Sequence, residues 1–125
     1  MRNNILSEGE WKLMKLLWKK APRSIGELVE ELREETSWSK TTVFVMLKRL
    51  VANGAVAVEE SGRIHKYYPL LKQGEVIDGE TDSFLLKVYD GSIGLMISSL
   101  VGRNALSEKE IEELRRVLDE AERKG

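Results

Sequence analysis

The sequence predicts a mostly α-helical fold with a small β-hairpin, and three observations support this fold class. Within the first 54 residues, three short segments carry apolar residues at helical spacing, each behind a serine that suits a helix start. Two strand-like segments then flank a turn signal, Ser61-Gly62. Beyond residue 80, apolar residues again recur at helical spacing. We therefore expect three helices, a hairpin and a helical C-terminal arm.

The first helix is predicted from about Glu8 to Lys20. Ser7 and Glu10 have the spacing of a capping box, in which each side chain accepts a hydrogen bond from the backbone amide of the other. Pro22 cannot continue the helix, because proline lacks an amide hydrogen. The apolar residues at helical spacing are Trp11, Met14, Leu17 and Trp18.

Two further helices are predicted from the same kind of signal. Ser24 and Glu27 form a second capping box, and this helix is predicted to end near Glu35. Its inward residues are Ile25, Leu28, Val29 and Leu32. Ser39 is predicted to cap a third helix that Asn53-Gly54 ends. Its inward residues are Val43, Met46, Leu47 and Leu50. Helical periodicity alone fits a generic three-helix bundle as well as a helix-turn-helix domain.

The hairpin separates these two alternatives. Ala55–Val58 and Ile64–Tyr68 are the predicted strands on either side of the turn. Three helices followed by a hairpin predict a winged helix-turn-helix domain, which we place at residues 1–71. In such domains the third helix lies in the major groove of DNA, and the hairpin, or wing, contacts the DNA backbone beside it.

The residues predicted to contact DNA lie on the outward side of the third helix and on the wing. Hydroxyl and cationic side chains hydrogen-bond to base edges or phosphates, and an exposed valine or phenylalanine suits contact with a thymine methyl group. The alternative is that these cations are only solvated. Glu59 and Glu60 would repel phosphate, so we expect them to point away. The predicted contact residues are Ser39, Lys40, Thr41, Thr42, Val45, Lys48, Arg49, Arg63 and Lys66.

The charge is unevenly distributed along the chain, although its net value of −1 does not favour a nucleic-acid partner. Residues 1–70 carry 12 Lys/Arg and 9 Asp/Glu, a charge of +3. Residues 71–125 carry 8 Lys/Arg and 12 Asp/Glu, a charge of −4. The predicted winged helix thus has a small basic excess, and the local placement of its cations decides phosphate contact.

Composition excludes several kinds of site. With no cysteine, the chain has no disulfide or thiolate, and His65 as its only histidine cannot form a histidine pair. The acidic run at residues 78–82 lacks the glycine and the final glutamate of a calcium loop, and we interpret it as acidic residues that open a helix. We expect no catalytic residue, no metal and no cofactor. With no signal-like start and no apolar run of about 20 residues, we expect a cytoplasmic protein.

Residues 72–125 are predicted to form a helical dimerisation domain of three helices, the last capped by Ser107 and Glu110. Three short helices cannot bury this much apolar surface alone, and a symmetric partner would cover it. The alternative is that they fold back onto the chain's own N-terminal domain. The residues predicted at the dimer interface are Phe84, Leu85, Val88, Tyr89, Leu95, Met96, Leu100, Ile111, Leu114 and Leu118.

A set of motifs occurs in order along nearly the whole chain. It comprises Glu10-Trp11-x-x-Met14-x-x-x-Trp18, Trp38-Ser39-x-x-Thr42-Val43-x-x-Met46-Leu47-x-Arg49-Leu50, Gly54-Ala55, Gly62-Arg63, Tyr68-Pro69, Ser83-Phe84-Leu85, Tyr89-x-Gly91 and Leu106-Ser107-x-x-Glu110-Ile111-x-x-Leu114. In this combination the sequence resembles the penicillinase-repressor (BlaI/MecI) family. The resemblance implies a homodimeric repressor whose winged helices bind a two-fold symmetric operator and block transcription of resistance or stress genes.

The resemblance also implies a route of release, and it has departures. In the family, a membrane sensor with a metalloprotease domain triggers cleavage at a position that here falls near Ser99-Leu100. Thr41, Phe44 and Val45 differ from the more polar residues of the family, so the operator of other members does not transfer to this chain. The copper-responsive branch uses a Cys-x-Cys pattern, which is absent here, so that metal response is excluded.

A second function class stays open at this point: a winged-helix module that binds proteins without sequence-specific DNA binding. Phe44 and Val45 on the outward face and the net charge of −1 favour it. Salt dependence discriminates the two, because DNA binding weakens steeply as salt rises and an apolar protein contact changes little.

Overall fold

The computed structural model describes residues 6–125. It confirms the predicted fold class, with helices at both ends of the chain and a small antiparallel sheet between them. The helices and strands, in chain order, are α1 (Glu8–Lys19), β1 (Arg23–Ser24), α2 (Ile25–Glu31), α3 (Lys40–Ala52), β2 (Val56–Glu59), β3 (Lys66–Pro69), α4 (Gln73–Tyr89), α5 (Ile93–Gly102) and α6 (Glu108–Lys124).

Serine caps begin the helices where the sequence predicts them. Capping boxes with both hydrogen bonds open α1, α2 and α6. Ser39 caps α3, where its hydroxyl accepts from the amide of Thr42 at 3.2 Å. These bonds satisfy amide groups that would otherwise lack a partner in the first turn.

The sheet has the strand order β1-β3-β2, with both pairs antiparallel. Its hairpin confirms the wing, although both strands begin two or fewer residues later than predicted, and Ile64 lies in the exposed loop. Strand β1 was not predicted, because two residues are too few for an alternating pattern and their pairing to Tyr67 and Lys66 is distant in sequence. Strand β1 therefore connects the wing, through its pairing with β3, to the start of α2.

Helix α2 is shorter than predicted and ends at Glu31 rather than near Glu35. After it, the amides of Arg33 and Glu35 donate to carbonyls three residues earlier, which tightens the chain into turns. The Thr36 hydroxyl then donates to the carbonyl of Leu32 at 3.1 Å. Threonine side chains form such bonds to carbonyls four residues earlier, and this one closes the turns of residues 32–35.

Helix α4 starts earlier than predicted, and this corrects the interpretation of the acidic run. Residues 78–82 lie in the middle of α4 and do not open a helix. Two contacts anchor the N-terminal half of α4: Val76 is buried, and the Trp11 indole Nε1 donates to Glu80 Oε1 at 3.1 Å. The sequence conceals this start, because the segment carries two glycines and few apolar residues.

The chain divides into two compact units, Met1–Glu80 and Thr81–Gly125. The first has a closed core to which α1, α2, α3 and the sheet all contribute. Its buried apolar residues are Leu13, Met14, Leu17, Leu28, Leu32, Val43, Leu47, Leu50, Ala55, Val56, Tyr67 and Val76. In the second unit, α5 and α6 have no buried residue.

Gly54 ends α3 in a left-handed conformation, with φ of 80°. A side chain costs about 1–2 kcal/mol in this region, so we expect Gly54→Ala to lower the free energy of unfolding by about 1 kcal/mol in urea titrations. The control is Gly79→Ala inside α4, where an added Cβ meets no atom within 4 Å. There we expect stability to rise by up to about 1 kcal/mol. Equal effects of the two substitutions would contradict this account.

Candidate nucleic-acid interface

Helix α3 presents a polar and apolar stripe to solvent because its opposite face is fixed in the core. Val43, Leu47 and Leu50 are each 0% exposed. Their spacing along the helix leaves Thr41, Val45 and Lys48, at i, i+4 and i+7, in the centre of the exposed face. We call these three residues the central stripe. It carries one hydroxyl, one apolar and one cationic side chain.

One flank of the stripe faces the wing. Lys40, Thr41 and Phe44 of α3 line a shallow groove together with Arg63, Ile64 and His65 of the wing loop. The structure therefore brings together three of the predicted contact residues, Lys40, Thr41 and Arg63. Sequence reasoning missed the groove, because α3 and the wing meet only through their tertiary packing.

The other flank of the stripe lies beside α1. Arg49 is on this side, and its Nε lies 3.4 Å from Oε2 of Glu10. The arginine side chain is 69% exposed, whereas the glutamate side chain is 3% exposed. The sequence predicts Glu10 as a capping residue and as part of the Glu10-Trp11 motif, but it does not predict the pairing with Arg49. No spacing rule would have found this pair, because the two residues belong to different helices.

The start of α3 holds two of the predicted contact residues in hydrogen bonds. The Ser39 hydroxyl caps the helix and also lies 3.2 Å from the hydroxyl of Thr42. Both residues are exposed, and each oxygen has further hydrogen-bonding capacity. The helix N-terminus adds partial positive charge beside them, which favours a phosphate group.

Lys66 lies on the wing but outside the groove. In the sheet it is opposite Ser24 on one side and Glu59 on the other. The pKa of Glu27 is lowered mainly by the hydrogen bond that its carboxylate accepts from the Ser24 amide, and further by the charges of Lys66 and Lys20. Lys66 therefore has two acidic residues in its neighbourhood, Glu59 and Glu27. The remaining predicted cations of the interface, Lys40, Lys48, Arg49 and Arg63, are exposed.

Tyr67 is the buried residue of strand β3 in the wing. It is 5% exposed, and this burial raises the pKa of its hydroxyl, with a further rise from the nearby negative charge of Glu60. Since the neutral form is favoured in the fold, Tyr67 stays protonated at neutral pH and packs as an aromatic core residue.

The second unit contains the residues predicted for dimerisation. Phe84 and Tyr89 form an edge-to-face pair with ring centroids 6.0 Å apart. The exposed members of the predicted set are Phe84, Val88, Leu95 and Leu118. The partly buried members are Leu85, Tyr89, Met96, Leu100, Ile111 and Leu114. Ser99 and Leu100, the predicted cleavage position, lie inside α5.

The described residues contain neither a metal cluster nor a single membrane-spanning helix. Among residues 6–125, no three His, Cys, Asp or Glu side chains lie together as metal ligands. In the same part of the chain no single helix is long and apolar enough to span a membrane; only α4 and α5 taken together have that length and composition, and a turn separates them.

Comparison with known proteins identifies relatives along most of the chain. The family model described as penicillinase repressor matches residues 6–120. The penicillinase repressor of Bacillus licheniformis is 32% identical over 115 residues, which cover 92% of this chain and 90% of that protein. The methicillin resistance regulatory protein MecI of Mammaliicoccus sciuri is 30% identical over 114 residues, covering 91% of this chain and 93% of that protein.

Solved structures also match this chain. The DNA-binding domain of the repressor BlaI matches with a TM-score of 0.52 and 30% identity, over 60% of this chain and 93% of that chain. Bacillus licheniformis BlaI in complex with the blaP half-operator matches with a TM-score of 0.51, 30% identity and the same coverage. The transcriptional regulator SlyA, 19% identical with a TM-score of 0.51 over 95% of this chain, shares the fold.

Proposed function

This chain belongs to the penicillinase repressor family, and we propose that it is a transcriptional repressor that binds a two-fold symmetric operator as a homodimer. One observation supports the DNA-binding part of the proposal. Bacillus licheniformis BlaI, solved in complex with the blaP half-operator, is 30% identical to this chain, and the match covers 93% of the solved BlaI chain. A repressor occludes its operator without chemistry, so we propose no enzymatic activity. We propose that it acts in the cytoplasm, where a bacterial chromosome lies.

We propose that α3 reads the major groove through its central stripe. In this arrangement Thr41 and Lys48 face base edges, and Val45, which is 60% exposed, contacts a thymine methyl group. The flanks supply phosphate contacts. Lys40, Arg63 and Lys66 serve the wing side, and Arg49 serves the α1 side. Ser39 and Thr42 bring the start of α3 to a phosphate. The apolar Val45 also makes this operator differ from those of relatives with a more polar helix.

The wing arginine gives a direct test of DNA binding. We expect Arg63→Ala to weaken binding to DNA from its own upstream region by roughly three- to tenfold and to reduce the salt slope by about 1. Arg33→Ala is the matched control, because Arg33 is an exposed cation of the same unit, paired with Glu30 and outside the groove. Mobility shifts across a salt series measure both quantities. A DNA affinity that does not change with salt concentration would instead favour the protein-interaction module.

We propose that the second unit forms the dimer. The support is its uncovered apolar surface, since Leu86, Ile93 and Leu118 are each more than 60% exposed in the single chain. Patches of this kind on a small unit mark association surfaces. Matched half-sites one helical turn apart lie about 34 Å from each other, so a two-fold symmetric operator requires two copies of α3.

Leu118 tests the dimer. A buried arginine at this position would be unpaired, so we expect Leu118→Arg to shift the dimer to monomer at micromolar concentration. The control is Glu112→Arg, which places the same side chain on the polar face of α6. Sedimentation equilibrium should give twice the 14.3 kDa chain mass for the wild type and the control, and a lower value for Leu118→Arg. A monomeric wild type would contradict the proposal.

We propose that induction removes the repressor by a cut near Ser99-Leu100, made in response to a membrane sensor-protease. The bond lies within α5, so cleavage there requires local unfolding of a helix that has no buried residue. Incubation with the cognate sensor, followed by mass analysis of the fragments, tests this. We expect fragments ending at Ser99 and beginning at Leu100, whereas an intact chain would contradict the proposal.

The named relatives regulate penicillinase and methicillin resistance. We propose that this chain likewise controls a resistance or stress gene. Sequencing the DNA that it retains from its own genome would identify the gene.

A further inference from the structure

Glu10 is a buried carboxylate next to the proposed DNA-binding face. Its side chain is 3% exposed and its Oε2 lies 3.4 Å from Nε of Arg49. Among the described residues, this oxygen has no hydrogen-bond partner of good geometry. A buried charge without full hydrogen bonding is costly, so the attraction of the arginine is the main compensation available to it.

The structure leaves Glu10 little freedom to turn elsewhere. Its other oxygen, Oε1, accepts from the backbone amide of Ser7 at 2.9 Å in the capping box of α1. The neighbouring Gly9 allows α1 to approach α3 closely, since an added Cβ would lie 2.9 Å from Sδ of Met46. One carboxylate oxygen of Glu10 is thus fixed at the start of α1, and the other points toward Arg49 of α3.

Arg49 is held at one end of its guanidinium only. Glu10 is opposite Nε, while the side chain remains 69% exposed. The terminal NH₂ groups are therefore available for a second acceptor, and a guanidinium can bind two acceptors through different nitrogens. A free arginine would lose rotamer entropy on binding a phosphate, and an ion pair formed beforehand reduces that loss.

We propose that Glu10 is a positioning residue that orients the Arg49 guanidinium toward a phosphate of the operator. This inference rests on the proposed function and deepens it. It predicts a change in DNA affinity opposite to the one expected from charge repulsion alone. The negative charge of Glu10 by itself repels DNA, so its removal should strengthen binding unless the carboxylate has an orienting role.

Glu10→Gln separates these effects, because the amide oxygen can still accept from Ser7 while the charge is lost. We expect operator affinity to fall by about three- to tenfold. In an Arg49→Ala background, where only the repulsion between Glu10 and DNA remains, we expect the same substitution to leave affinity unchanged or slightly higher. Glu110→Gln is the matched control, since Glu110 is the capping-box residue of α6. It should leave affinity within about twofold of the wild type.

Arg49→Lys gives a second test that does not depend on the folding of a Glu10 variant. Lysine keeps the charge but lacks the planar Nε group, so we expect a loss of affinity close to that of Arg49→Ala. Urea unfolding of each variant verifies that it is folded under the assay conditions.

The outcomes distinguish this inference from the function on which it rests. If the wild type binds no operator fragment, the proposed function fails. If the wild type binds and Glu10→Gln binds equally or more tightly, only the inference fails. A loss of the same size in the Arg49→Ala background would also overturn it, because Glu10 would then act independently of Arg49.

Discussion

The packing of α3 against the core is the constraint on which the proposed function depends. Val43, Leu47 and Leu50 are fully buried, and each such side chain contributes about 1.5–3 kcal/mol through removal of apolar surface from water. Rotation of α3 by even a quarter turn would expose some of these buried side chains and bury polar residues of the opposite face. The core therefore fixes which residues face outward, and the central stripe follows from it.

Short-range signals account for what the sequence predicted well. The capping boxes at Ser7 and Ser24 and the left-handed Gly54 each involve residues within a few positions of each other. Long-range contacts account for what it missed. The start of α4 depends on Trp11 reaching Glu80, and the Glu10–Arg49 pair joins two helices. No local pattern encodes such contacts, so the outward residues of α3 could be predicted individually but their neighbours could not.

The two units differ in how completely they bury their apolar residues. The first surrounds Leu13, Leu28 and Leu47 on all sides, whereas the second leaves Leu86 and Leu118 exposed. Exposed apolar surface of this kind on a small helical unit is typical of an association surface. This difference supports the proposal that the first unit presents α3 and the second unit forms the dimer.

The candidate interface combines the mixed central stripe of Thr41, Val45 and Lys48 with cationic flanks, and this local placement of charge makes a DNA partner compatible with a net charge of −1. Phosphates border the major groove on both sides, so cations are needed beside α3 rather than over the whole chain. Arg63 lies on one side and Arg49 on the other, with Val45 between them. Under the proposed function, the flanks supply salt-dependent affinity and the centre selects the base sequence. Variation among relatives at the central residues would then change the operator without changing how strongly the fold holds DNA.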